Sequence, residues 1–97
     1  MKLAWTSEAR QNLQDILSHI GAENPSAARK LKQRIDRMVA YLPDRPFMAR
    51  PGAIDGTREA IPHPSYRVVY QVDDDAVSIL AVVHTSRQWP PETADED

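Results

Sequence analysis

The last third of the chain constrains its fold most. Gly56 to Pro90 reads GTREAIPHPSYRVVYQVDDDAVSILAVVHTSRQWP, two strand patterns joined by an acidic turn. Tyr66 to Val72 alternates, sending Tyr66, Val68, Tyr70 and Val72 to one face and Arg67, Val69 and Gln71 to the other. Asp73, Asp74 and Asp75 make the turn, and Ala76 to His84 returns as an antiparallel neighbour. That returning strand is apolar on both faces apart from Ser78, which argues for a central place in a sheet. Arg58, Glu59, Arg67, His84, Arg87 and Trp89 lie on or beside these strands. Charged side chains are seldom buried without a partner, so such a sheet is either open to water on one face or built to receive something.

The first half supplies the other layer. Met1 to Trp5 (MKLAW) reads as a first strand, and Thr6 or Ser7 as a helix N-cap, with Glu8 in the first turn against the positive end of the helix dipole. Ala9, Leu13, Ile16, Leu17 and Ile20 fall on one helical face, and Gly21 is expected to end the helix. Asn24-Pro25 restarts a helix, Asn as cap and Pro at the first helical position. Ala28, Leu31, Ile35, Met38 and Leu42 then recur at steps of three and four until Pro43, so the two helices form an antiparallel hairpin. The outer face of the second helix carries Arg29, Lys30, Lys32, Arg34 and Arg37 against Asp36, which reads as a solvated surface or as a docking face for an acidic protein or a phosphate backbone.

Pro43 to Gly56 holds three prolines and two glycines in PDRPFMARPGAIDG, a loop expected to close over the core through Phe47 and Met48. Thr57 to Ile61 begins the sheet, and Pro62 and Pro64 bracket His63 in a turn. The predicted architecture is therefore α+β, β-α-α-β-β-β, an N-terminal helical hairpin packed on a mostly antiparallel four-stranded sheet.

At 97 residues the chain has room for one modest core, expected over residues 1–91. Four of its fourteen acidic residues, Glu92, Asp95, Glu96 and Asp97, fall in the last six positions and predict a disordered acidic tail. Without them, ten acids face twelve Lys and Arg, so the body is mildly positive and lacks the strongly basic balance of a dedicated nucleic-acid binder. The absence of cysteine excludes disulfides, thiolate zinc sites and a cysteine nucleophile, and fits a reducing cytoplasm. No window approaches the roughly 20 apolar residues of a membrane span.

Chemistry is narrowed by elimination. His19, His63 and His84 sit in different elements with no metal-ligand spacing, and neither a glycine-rich phosphate loop nor a serine nucleophile elbow is present, so no cofactor or metal is expected. Arg67, His84 and Arg87 remain, expected to converge on one shallow surface. Guanidinium groups hold phosphate and an imidazole moves protons near neutral pH, a set suited to metal-independent RNA cleavage. The competing reading is structural: Arg58 and Glu59 pair across the sheet, Arg67 bridges to an acid, and His84 caps its strand. An apolar groove near Trp5, Leu13, Leu17 and Trp89, with arginines at its rim, is expected to seat an amphipathic partner.

These residues also resemble a known group. LAWTSEARQNLQDI, NPSAARKLKQRI and GTRE…YRVVYQV…VSILAVVHTSRQWP are similar, in order and spacing, to the RelE/ParE superfamily of bacterial type II toxins over nearly the whole chain. The resemblance implies a toxin silenced by a cognate antitoxin in a hetero-oligomer, with Trp5, Leu13, Leu17, Arg58, Glu59 and Trp89 as binding residues for target or antitoxin. RelE-like members cut mRNA on the ribosome; carried over by position, Arg67 and Arg87 match their arginines, while Trp89, Pro90 and Pro91 stand where their tyrosine would be. ParE-like members poison DNA gyrase, and HPSYRVVYQV with HTSRQWP resembles that branch more closely. A third possibility is a non-toxic module that only binds an antitoxin.

Overall fold

Helix and strand periods meet at Thr6, whose side chain serves both. The computed structural model describes residues 1–91, so the acidic tail expected at 92–97 lies outside the described residues. The first strand, β1, is Lys2–Trp5, and the first helix, α1, is Ser7–Glu23. The Thr6 hydroxyl accepts the Ala9 N–H (3.1 Å) as N-cap and donates to the Ile79 carbonyl (3.0 Å), tying the helix start to the sheet. Gly21 does not end α1, as expected from its type. The helix continues to Glu23, and the stop comes from Asn24, which the following proline biases away from helical backbone. Asn24 closes one helix and opens the next: its N–H donates to Ile20 O (2.8 Å) and its Oδ1 accepts the Ala27 N–H (3.0 Å). The second helix, α2, is Pro25–Tyr41 with Pro25 in its first turn.

The sheet has five strands rather than four. Arg50–Pro51 forms a two-residue edge strand, β2, inside the segment expected to be loop, pairing Arg50 with Glu59 and Pro51 with Arg58. A proline is tolerated there because an edge strand leaves one side unpaired. Gly56, at φ +85°, turns the chain into β3, Thr57–His63. That strand runs through Pro62 to His63, past a register shift after Ala60, so the turn is Pro64-Ser65 and not a Pro62–Pro64 bracket. The remaining strands are β4, Tyr66–Val72, and β5, Ala76–His84, in the sheet order β1-β5-β4-β3-β2. Among the described residues only β1 against β5 is parallel; β5 is an interior strand between β1 and β4, paired on both sides as its two apolar faces require, while β4 takes the middle of the sheet.

Both helices cover one face of this sheet. Ala9, Leu31, Ile35, Val39 and Leu42 pack there against Ala60, Val68, Tyr70, Val77, Ile79 and Val82. Ile35, Val68, Tyr70 and Ile79 are completely buried, and each aliphatic side chain of this kind stabilises the fold by about 1.5–3 kcal/mol. Phe47 and Met48, expected to close the loop over the core, instead face water at 63% and 51% exposure. The loop is held by polar contacts: the Tyr70 hydroxyl donates to Pro46 O (2.8 Å), and Arg58 donates to Ala49 O (2.7 Å) while lying 4.8 Å over the Phe47 ring.

Candidate functional site

Strand parity decides which ionisable groups can meet. Residues opposed across a sheet share a face, and Arg58 is opposite Tyr70 while Glu59 is opposite Val69. Arg58 and Glu59 therefore point to opposite faces, and the expected pairing between them does not form. Glu59, only 4% exposed, is joined instead by Arg67. Arg67 Nη1 donates to Glu59 Oε1 (2.9 Å), its Nη2 donates to Thr85 O (3.2 Å), and Glu59 Oε2 accepts the Ala53 N–H (2.9 Å). Gly52 makes this possible: a Cβ there would collide with Thr57 Oγ1 and fall 3.1 Å from Glu59 Oε2. Arg67 Nε is buried without a partner among the described residues.

His84 belongs to the other face. It is opposite Tyr66, which packs on the helix side, and the two rings meet edge to face with centroids 5.1 Å apart. His84 and Arg87 line a cleft of about 400 Å³ beneath α1, with Asn12, Asp15, Ile16, His19 and Tyr66. The sheet thus divides the expected trio: His84 and Arg87 share a cleft, and Arg67 is on the opposite face in an ion pair. His84 Nδ1 accepts the Ser86 N–H (3.0 Å), which puts the proton of the neutral ring on Nε2. Two histidines from different strands flank Tyr66, His84 at 5.1 Å and His63 at 6.0 Å between ring centroids, and His19 lines the same cleft as Tyr66 and His84. Among the described residues no three His, Asp or Glu are arranged to hold a metal ion.

A second recess, a groove of about 570 Å³, runs along α1 from the end of β1. Trp5, Leu13 and Leu17 form its apolar floor, with Arg10, Gln14, Ser18 and Asp36 around them. Three of the four expected groove residues are thus together, with an arginine at the rim. Trp89 is not among the lining residues; it is half-buried elsewhere, and its indole N–H has no partner among the described residues. The cleft residues Asn12, Asp15 and His19 were not anticipated. Their spacing of three and four was the available signal, because it places all three on one flank of α1.

Among the described residues one titrating group is clearly displaced. Burial pushes the Tyr70 phenol above its ordinary value, against the opposing influence of an Ala49 backbone hydrogen bond and of Arg58.

A toxin candidate of Sinorhizobium fredii, Y4kP, is 36% identical over 90 residues, covering 92% of this chain and 93% of its own. Toxin RelE2 of Caulobacter vibrioides is 30% identical over 86 residues, covering 89% and 97%. A solved structure described as the chromosomal ParDE toxin-antitoxin system from P. aeruginosa superposes with a TM-score of 0.76 at 25% identity, covering 87% of this chain and 95% of that one. Residues 3–89 match the family described as the ParE toxin of the type II toxin-antitoxin system, parDE, and this chain belongs to that family.

Proposed function

We propose that this toxin acts in the cytoplasm by binding DNA gyrase, without cutting a nucleic acid, and that a cognate antitoxin silences it by seating an amphipathic segment in the Trp5–Leu13–Leu17 groove. The observation that carries this reading is the separation of Arg67 from His84 and Arg87 by the thickness of the sheet. Phosphodiester cleavage needs its acid, base and charge-stabilising groups within reach of one phosphate. Arg67 is instead held by a buried carboxylate. The groove supports the antitoxin half of the proposal, because an apolar floor with a polar rim is what the apolar face of a helix requires. The P. aeruginosa relative, described as a ParDE toxin-antitoxin system, supports it by likeness.

The test is to induce the chain in cells and to assay the purified protein against gyrase. Loss of supercoiling activity in vitro, with DNA damage and filamentation as the earliest lesion in cells, is expected. Cut transcripts and halted translation with supercoiling intact would overturn the proposal in favour of a ribosome-dependent mRNA endonuclease. One observation favours that second reading, the gathering of His84, Arg87, His19 and Asp15 in a single cleft. Unimpaired growth would leave only a module that binds an antitoxin.

A further inference from the structure

The charges of the helical hairpin are unevenly divided. α1 carries Glu8, Asp15 and Glu23 against Arg10, whereas α2 carries Arg29, Lys30, Lys32, Arg34 and Arg37 against Asp36. All five bases of α2 are exposed. Only two ion pairs form among the described residues, Lys32 with Asp36 and Arg67 with Glu59. Lys30, Arg34, Arg37 and, just beyond the helix, Arg45 are therefore left uncompensated by any salt bridge there.

These residues make one stripe. Lys30, Arg34, Arg37 and Tyr41 follow each other at steps of four, three and four, which keeps them on the same flank of the helix over about 16 Å. The flank runs beside the end of β3: Arg34 Nε donates to Pro62 O (3.1 Å), and Arg34, Arg37, Met38, Tyr41 and Pro62 line a recess of about 280 Å³. Arg45 extends the stripe, its guanidinium 6.0 Å from the centre of the exposed Tyr41 ring.

We propose that this flank of α2 docks on the phosphate backbone of duplex DNA. The charge and the shape of the flank select that occupant. A protein partner is anchored chiefly by apolar and aromatic side chains in desolvated pockets, and the seat for one is the Trp5 groove, whose volume is twice that of the recess here. A phosphate backbone needs only regularly placed cations, which is what the stripe supplies. The convex rod of a helix also suits the outside or major groove of a duplex, whereas single strands are held in concave, aromatic-lined channels. The net charge of −2 for the whole chain makes the contact weak and local, a second foothold for a protein delivered to DNA by another interaction. The assignment stands on the charge of α2 and is separate from the choice of gyrase as target.

The experiment is fluorescence anisotropy of the purified chain with a labelled 20-bp duplex between 50 and 200 mM salt. Four phosphate contacts predict a slope of log K against log salt of about −3 to −4, with a dissociation constant on the order of micromolar to 100 µM at physiological salt and tighter at 50 mM. R34E/R37E should weaken binding about tenfold or more at 50 mM salt and flatten the slope by about 2. K2E/R50E makes the same change in net charge at opposite edges of the sheet and should leave most of the binding intact; circular dichroism confirms that both variants fold. No binding at 50 mM salt would overturn the proposal. Equal weakening by both double variants would also overturn it, since the attraction would then be one of overall charge. So would a stripe reversal that spares DNA and instead abolishes capture of the antitoxin encoded beside the toxin, because the flank would then be a protein contact.

Discussion

Arg67 and Glu59 form a 2.9 Å ion pair on the face of the sheet that the helices leave free, with the carboxylate 4% exposed and the guanidinium side chain 18%. Each carboxylate oxygen has a donor, one from Arg67 and one from the Ala53 N–H. The pair therefore fastens β3, β4 and the loop after β2 to one another. An arginine at this position draws attention as a catalyst, and here its guanidinium is engaged by a buried carboxylate.

Removing one member of this pair leaves the other charge buried and unpaired. Glu59→Ala should cost about 3 kcal/mol or more, which for a chain of this size lowers Tm by on the order of 12 °C or more. The double variant Glu59→Met with Arg67→Met removes both charges together and should recover most of the loss. Thermal melts followed by toxicity assays separate the two roles of Arg67. A stable double variant that remains toxic fits the clamp; a stable double variant that has lost toxicity would show that Arg67 is needed for more than folding.

Thr6 and Asn12 replace the missing neighbour of β5 beyond the end of β1. Strand β1 pairs with β5 only as far as Ile79, after which Thr6 donates to Ile79 O and Asn12 Oδ1 accepts the Val82 N–H (3.1 Å). Thr6→Ala should cost about 1–2 kcal/mol through the lost cap. Asn12→Ala should cost about 1–3 kcal/mol, because the Val82 N–H is then left unpaired beside α1. Denaturant titration measures both losses, and amide exchange at Val82 should accelerate in Asn12→Ala specifically.

Tyr70 predicts an alkaline limit to stability. Its folded-state pKa lies above the unfolded value of about 10, so the native state holds its proton more tightly than the unfolded chain does. The stabilisation from this group is complete below about pH 10 and is lost as pH rises through the folded pKa. Tyr70→Phe also loses the 2.8 Å hydrogen bond to Pro46 O and should be less stable at neutral pH. The gap between the two proteins should narrow above pH 10, as read from chemical denaturation at pH 7, 9, 10 and 11. A constant gap across that range would contradict the burial of the phenol.

The groove along α1 makes a prediction about the antitoxin. Trp5 is the aromatic anchor of its floor, and truncating such an anchor typically costs about 2 kcal/mol or more in binding, roughly 30-fold in Kd. Trp5→Ala and Leu17→Ala should each weaken capture of the antitoxin while leaving toxicity in its absence. Calorimetric titration with the purified antitoxin gives the affinity, and co-expression gives the neutralisation. Unchanged affinity in the double variant would move the antitoxin to another surface.

Much of the fold was legible because its signals are local. Thr6 and Asn24 sit where a short polar side chain can cap a helix, the apolar residues of α2 repeat every three or four, and Tyr66–Val72 alternates every two. Each pattern depends on residues within one or two turns of each other. Strand β2 escaped because two residues have no period. Gly21 misled because its type suits a helix end, whereas the stop is imposed three residues later by the Asn24-Pro25 pair. Phe47 and Met48 misled because apolarity favours burial without requiring it.

The sequence by itself determined the order of the elements apart from β2, the interior place of β5, the hairpin and three residues of the Trp5 groove, since periodicity and capping are written within single segments. Only the tertiary structure decided what the charges do. Whether Arg67 meets His84 or Glu59 depends on the registers of three strands, and moving any one of them by a single residue would reverse its faces. Tertiary packing likewise brought His63 and His84 against Tyr66 from separate strands, with His19 of α1 lining the same cleft as His84, and left α2 with a stripe of cations that forms no salt bridge among the described residues.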